Sequence, residues 1–403
     1  MAHIHLSWEL GGGLGHAARL KTLAIELRSR GHRVSLSLRD LAHTRSLLAD
    51  LDCPKFQAPV WLHRAVGLPA AQGNLAEILL AFGYLEAGAL SGLVDGWRAL
   101  FGELKPDLVV ADYAPTAVLA ARSLGLRTAS IGIGFYLPPR TPDLPPLRDW
   151  EPIPPERLRG AQRRMLEVAN AVLAQHGAAP LALPADLLLG DRPLLCTWPE
   201  LDHYGRSEPT GGQWYGPSFL ADGGGAGEAP RWPEGSGPKV FAYLKADHPD
   251  HAALLKALAE AGCRTLCYLP EVAAGGPPPL KHPTLRYAGG PVSLGEVFAD
   301  GCALCVCHGG EATLAQALLA GVPLLLLPMH AEQFLISRRV EQAGCGINAA
   351  QRRRPQDWAA LVREALDAPA WREGAQHFAR AHAGFTQQGL AARLADAFEE
   401  TLS

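Results

Sequence analysis

Two rhythms of apolar and polar positions alternate along the chain. His3–Trp8 is a short β-like run, followed by a glycine loop at Gly11–Gly15. In Ala17–Arg30, Leu20, Leu23, Ala24 and Leu27 fall on one helical face, and Gly31 supplies the stop. Arg33–Leu38 then alternates as a second strand. The pattern repeats with strand Leu108–Ala111, helix Pro115–Leu124 and strand Arg127–Gly132. Residues 138–155 hold eight prolines and predict a surface loop or lid, and Arg157–Gln175 reads as an amphipathic helix.

Gly211–Gly237 is rich in Gly, Pro and Ser and marks a linker. After it the alternation restarts. Strands are predicted at Lys239–Leu244, Thr265–Leu269, Thr284–Tyr287, Ala303–Cys307 and Pro323–Leu327, with helices at His251–Ala261 and Leu294–Ala299. Short strands alternating with helices imply parallel sheets covered on both faces. The expected fold is therefore α/β, with two Rossmann-like domains facing each other across a cleft. The divisions are 1–215, linker 216–237, 238–385, and a last helix in 386–403 that is a candidate for packing back on the first domain.

Composition removes several classes of function. Apolar residues make up 48% of the 403, enough for large cores, and the net charge of −3 argues against a dedicated nucleic-acid binder. The start, MAHIHLSWELGGG, has neither a basic region nor an apolar core of the export type. The apolar stretch Leu314–Pro328 is too short to span a bilayer. A cytoplasmic location with reduced thiols is expected. The run CALCVCH at Cys302–His308 looks like a zinc motif, but in a strand Cys302 and Cys305 face opposite sides, so no metal site is predicted. Asp50-Leu51-Asp52 spells the DxD of metal-dependent sugar transferases, a three-letter match of little weight.

The richest stretch is Cys307–Phe334, CHGGEATLAQALLAGVPLLLLPMHAEQF. It reads as strand, glycine turn, helix, turn, strand and polar loop. Gly309 and Gly310 let backbone N–H groups approach an oxyanion, and the helix from Glu311 presents its positive end. Thr313 adds a hydroxyl in the first turn, while Glu332 beside Gln333 suits the hydroxyls of a sugar.

This segment resembles the nucleotide-sugar signature of the UDP-glycosyltransferase-like (family 1 type) transferases of GT-B fold. The resemblance rests on His308, Gly310, Thr313, Ala317, Gly321, Val322, Pro323, Pro328, Glu332 and Gln333. It implies that His308, Gly309, Gly310 and Thr313 meet the pyrophosphate and that Glu332 and Gln333 hold the donor sugar. The loop with Pro291 and Val292 would lie against the base. Gln316 stands where the family carries a ribose-binding Glu, a departure that bears on donor affinity and nucleotide choice. Lys245, Gly13 and Gly15 are further candidates for phosphate or loop contacts.

In the first half, Gly15-His16 resembles the family loop whose His is the catalytic base, and PDLVVAD ends at Asp112, where relatives place its carboxylate partner. The pairing has a chemical reason: an acceptor hydroxyl needs a base, and a carboxylate fixes the imidazole tautomer. The implied reaction is an inverting, metal-independent transfer of a sugar from a nucleotide-diphosphate donor, with UDP or dTDP the expected nucleotide and no cofactor. The acceptor, small or lipid-like, is not specified by the sequence, nor is oligomeric state. Trp61, Phe82, Tyr84, Phe135 and Tyr136 are candidates for its pocket or for core. An epimerase or hydrolase of the same fold, or a non-catalytic nucleotide-sugar binder, stays open. An NAD(P)-dependent oxidoreductase is a remote alternative, carried by Gly13–Ala18 and Asp40; it leaves the second glycine loop and Glu332-Gln333 unexplained.

Overall fold

The computed structural model describes residues 1–220, 227–245 and 248–403. Two structural units divide the chain: Met1–Leu220 with Thr386–Ser403, and Ala221–Phe385. The expected linker, 216–237, includes residues 221–226, which lie outside the described residues.

The first unit is built on β1 His3–Trp8, β2 Arg33–Leu38, β3 Lys55–Gln57, β4 Leu108–Asp112, β5 Arg127–Gly132 and β6 Arg192–Leu195. All pairs are parallel, in the order β3-β2-β1-β4-β5-β6. A parallel sheet is covered on both faces, which is why β1, β4 and nearly all of β2 and β5 are buried, polar residues included. On one side of the register, β1 carries the buried Ile4, Leu6 and Trp8. Its other side is polar, with His3 and His5 buried beside Ser35 and Ser37. The His3 Nδ1–H donates to the Leu104 carbonyl at 2.9 Å, so its Nε2 accepts from the Ser35 hydroxyl at 2.8 Å. His5 Nδ1 then donates to Ser35 Oγ at 2.8 Å, and His5 Nε2 accepts from Ser37 at 2.9 Å. Both rings are satisfied in the neutral form, and burial pushes His5 down to about 3.

Helix Gly15–Ser29 follows the first glycine loop, and helix Pro115–Ser123 follows β4. The long helices Ala87–Leu104 and Pro155–Gln175 pack on each other and on helix Pro115–Ser123, and bury Trp97, Phe101, Met165 and Val172. The final helix, Gln387–Leu402, belongs to this unit: Arg30 pairs with Asp396 at 2.6 Å, and His32 with Glu399 at 2.9 Å. No single helix among the described residues is long and apolar enough to cross a membrane.

The second unit repeats the plan with β7 Lys239–Tyr243, β8 Arg264–Tyr268, β9 Leu285–Tyr287, β10 Cys302–Cys307, β11 Leu324–Leu326 and β12 Gly346–Asn348. Their order is β12-β11-β10-β7-β8-β9, again parallel. Read from β9, both sheets have the 3-2-1-4-5-6 order of a doubly wound fold. Val240, Leu304, Val306 and Leu325 pack with Leu254, Leu258 and Val362 in its core. Part of the expected linker folds onto this unit. Glu228 bridges to Val292, and the Arg264 guanidinium donates to the Pro233 carbonyl at 2.7 Å.

Candidate active site

In doubly wound sheets the strand order reverses beside the first strand, and the crevice at the C-terminal ends there is the ligand position. In the first unit this reversal lies between β1 and β4, where Trp8 pairs with Asp112. The backbone of Leu10 donates to the Tyr113 carbonyl at 2.9 Å, pinning the two loops together. Tyr113 takes a φ of 48°, a left-handed conformation rare for an aromatic residue and typical of functional turns.

His16 and Asp112 meet at this point. Asp112 is fully buried, and its Oδ1 lies 2.9 Å from His16 Nδ1. That contact places the Nδ1 proton toward the carboxylate and leaves Nε2 unprotonated in the neutral ring. The ring is stacked on Trp8, with centroids 5.2 Å apart and planes 14° from parallel. Gly11, at φ 80°, lies across from Nε2: a Cβ there would stand 2.6 Å from that nitrogen. Glycine is required both for the backbone conformation and for the close approach of the ring, since any side chain there would collide with Nε2.

Two residues that the motifs did not single out for this role complete the group. Arg19 Nη1 donates to both Asp112 oxygens at 2.9 Å, and the Tyr136 hydroxyl donates to Oδ1 at 2.8 Å. Burial pushes the Asp112 carboxyl up, but the Arg19 and His16 interactions prevail and hold it below its ordinary value. Burial pushes the Tyr136 phenol well up, so it remains a donor. Arg19 lies three residues after His16 on one helix, so an i, i+3 spacing was the signal available in the sequence. Tyr136, Tyr84 and Phe135 are all buried, whereas Trp61 and Phe82 are half-buried. Glu9, just past β1, is also buried: it accepts from Thr116 N at 2.9 Å and Thr116 Oγ1 at 2.6 Å.

Gly13 has φ 80°, Gly15 opens the helix, and both are exposed with open space around their Cα atoms. Asp40 caps a short helix by accepting from His43 N at 2.8 Å. Asp50 pairs with Lys21 at 2.7 Å and Asp52 with Arg28 at 3.4 Å.

The second unit reverses between β7 and β10, and His308 follows β10 at that place. Its Nδ1–H donates to the Leu327 carbonyl at 2.7 Å, and its Nε2 accepts from the Lys245 backbone N–H at 2.9 Å. Both ring nitrogens are thus engaged within the unit, tying the ends of three strands together. Burial pushes the imidazole down, favouring this neutral form. Gly309 has φ 86°, and a Cβ there would stand 2.9 Å from Ser337 Oγ. Gly310 caps helix Glu311–Leu319 and has no side chain to offer its first turn, in which Thr313 is buried. An unobstructed helix start of this kind attracts an anion.

Gln316 turns back on its own helix, its amide donating to the Ala312 carbonyl at 3.0 Å. Gln333 is buried and accepts from the Met329 N–H at 2.9 Å, while Glu332 stands in the first turn of helix Ala331–Gln342. The Pro291 carbonyl accepts from Glu228 N at 2.7 Å, and Val292 is buried beside it. His248 and His251 stack at 5.4 Å and both lie within 5.8 Å of the His308 ring, a grouping the motif did not include. All eight cysteines are free, and among the described residues no group of three or more His, Cys, Asp or Glu side chains is arranged to hold a metal.

Tandem doubly wound six-stranded sheets define the class, the two-domain GT-B architecture. Residues 288–389 match the family model of the erythromycin biosynthesis protein CIII-like C-terminal domain. A PGL/p-HBAD biosynthesis glycosyltransferase of Mycobacterium tuberculosis (strain ATCC 25177 / H37Ra) is 26% identical over 367 residues, covering 85% of this chain and 81% of that protein. Among solved structures, the glycotransferase of kitacinnamycin superposes with a TM-score of 0.73 at 20% identity, over 100% of this chain and 99% of that one. The spinosyn rhamnosyltransferase SpnG complexed with thymidine diphosphate gives 0.62 at 18% identity, over 97% and 99%. The chain is a glycosyltransferase of the GT-B fold and resembles the family 1, UDP-glycosyltransferase-like enzymes.

Proposed function

We propose that this glycosyltransferase moves a sugar from a nucleoside-diphosphate donor, UDP- or dTDP-linked, to an acceptor hydroxyl, with inversion and without a metal. The observation that carries the reading is the His16–Asp112 contact, which leaves an unprotonated Nε2 on the edge of the ring that faces Gly11. In the proposed step the acceptor O–H gives its proton to Nε2 as its oxygen attacks the anomeric carbon. The C–O bond to the diphosphate breaks on the opposite face, and the leaving group takes the electron pair. The imidazolium formed is stabilised by Asp112.

The leaving group is assigned to the turn at Gly309–Gly310 and the start of helix Glu311–Leu319, with the Thr313 hydroxyl as an added donor. Developing charge there is met by fixed dipoles, which need no reorganisation during the reaction. Glu332 and Gln333 are assigned to the sugar. His308 acts in this reading by holding the turn, since its nitrogens serve Leu327 and Lys245. Thymidine diphosphate in a structural neighbour supports the choice of dTDP as one donor nucleotide. The test is a calorimetric screen of UDP-, dTDP- and GDP-sugars, followed by transfer and hydrolysis assays with the best ligand. Sugar release that needs no acceptor would replace the transferase reading with a hydrolase one.

A further inference from the structure

Asp112 Oδ1 is shared by three partners: His16 Nδ1 at 2.9 Å, Arg19 Nη1 at 2.9 Å and Tyr136 Oη at 2.8 Å. Tyr136 also accepts from Arg19 at 2.8 Å, closing a buried ring of contacts. The Arg19 and Asp112 side chains are 6% and 0% exposed, so water screens their charges little. We propose that Arg19, aided by Tyr136, is a positioning residue that sets how tightly Asp112 holds a proton on His16. This inference rests on the reading of His16 as the base.

A lone buried carboxylate beside an imidazole favours the imidazolium, and an imidazole already protonated takes no proton from an acceptor. Arg19 makes the Asp112 pair neutral overall. Protonating His16 then takes the three-group cluster from zero to +1, instead of from −1 to zero. Asp112 still orients the ring through Nδ1, while its pull on the second proton is divided. The charged or titratable groups around His16 are Asp112 from β4, Arg19 from its own helix, and Tyr113 and Tyr136 from the turns after β4 and β5. Glu9, past β1, turns its carboxylate onto Thr116, and Arg39 donates to the Glu9 carbonyl at 3.3 Å.

The test is the pH profile of kcat/KM for the full chain and the variants R19M, R19K, Y136F and H16A. In R19M the acid limb should move up by about one unit, a roughly tenfold loss on that limb that is recovered at high pH. R19K should leave the limb near its original place, and Y136F should move it upward by less than R19M. A loss in R19M that is equal at every pH overturns the inference and leaves Arg19 a packing residue. Should R19M fail to fold, an unmoved limb in Y136F overturns it equally. H16A separates the two readings. Persistence of the limb in its residual activity defeats the His16 base itself, whereas its disappearance with unmoved Arg19 and Tyr136 profiles defeats only the present inference.

Discussion

Asp112 holds His16 by Nδ1 at 2.9 Å, and in doing so turns the other ring nitrogen toward Gly11. His16→Ala removes the base and leaves the second unit untouched. Turnover should fall by about 10²–10⁴-fold, the usual worth of general base catalysis. Binding of UDP or dTDP, measured by calorimetry, should stay within a factor of about two, because the nucleotide assignment lies wholly in the other unit. Equal losses in turnover and nucleotide binding would make His16 structural.

The alternation of strands and helices was legible because parallel strands buried on both faces are short apolar runs bounded by glycine. His16, Asp112 and the Cys307–Gly310 turn could be placed for a related reason: Asp112 and Cys307 end strands, and His16 opens the helix that follows the glycine loop after β1. Other elements carried no such signal. Helix Ala87–Leu104 contains four glycines, and tertiary packing of Trp97 and Phe101 overrides their low propensity. Strands β3 and β12 are three residues each, held by one neighbouring strand. Arg19 carries no signal beyond its spacing from His16, because its partner Asp112 lies 93 residues away and is brought to it by β4. The engagement of His308 with Leu327 and Lys245 likewise depends on strand order, which no local motif encodes.

Gly11→Ala tests the Nε2 edge of the ring. The new methyl would stand 2.6 Å from His16 Nε2, and alanine at φ 80° is itself disfavoured. The backbone cost is about 1–2 kcal/mol. The chemical consequence should be larger: an acceptor excluded from Nε2 loses turnover comparably to His16→Ala. A variant that keeps full activity would move the reacting space elsewhere.

Thr313→Ala tests the phosphate cradle. A hydroxyl bonded to a charged oxygen is worth about 1.5–3 kcal/mol, so nucleoside-diphosphate affinity should drop by roughly 10–150-fold. Binding of the corresponding nucleoside, which has no phosphate, should hardly change. Parallel titrations with UDP and uridine, or with dTDP and thymidine, make the comparison. Equal effects on both ligands of a pair would reject Thr313 as a phosphate donor.

Gln316→Glu exchanges a donor for a charged acceptor. Gln316 spends its amide on the Ala312 carbonyl at 3.0 Å, a contact a carboxylate repels. The new side chain must leave the helix backbone, which frees both oxygens for a diol. A charge-assisted bond gains about 1 kcal/mol over a neutral one, so the nucleotide should bind about fivefold tighter. The 2′-deoxy nucleotide is the control, since it offers one hydroxyl fewer and should gain less. Identical responses of the ribo and deoxy forms would remove position 316 from ribose recognition.

Glu9 gives the molecule a pH dependence of opposite sign to the usual carboxylate. Burial raises it from 4.5 to about 7, against the lowering effect of the Thr116 hydrogen bonds. Below about 4.5 both folded and unfolded states carry the proton, and the residue favours neither. Between about 4.5 and 7 the unfolded chain has ionised while the folded chain still holds the proton. Stability therefore falls as pH rises through this window, and it levels off above about 7. The full span is worth up to about 3 kcal/mol for a shift of this size. Glu9→Gln mimics the protonated form: its oxygen accepts from Thr116 N, and its amide donates to Thr116 Oγ1, which can pass its own proton to Tyr84, 3.0 Å away. The variant should match the parent in thermal unfolding near pH 4 and exceed it by several degrees near pH 7.5. A difference that stays constant across that range would mean Glu9 is ionised throughout.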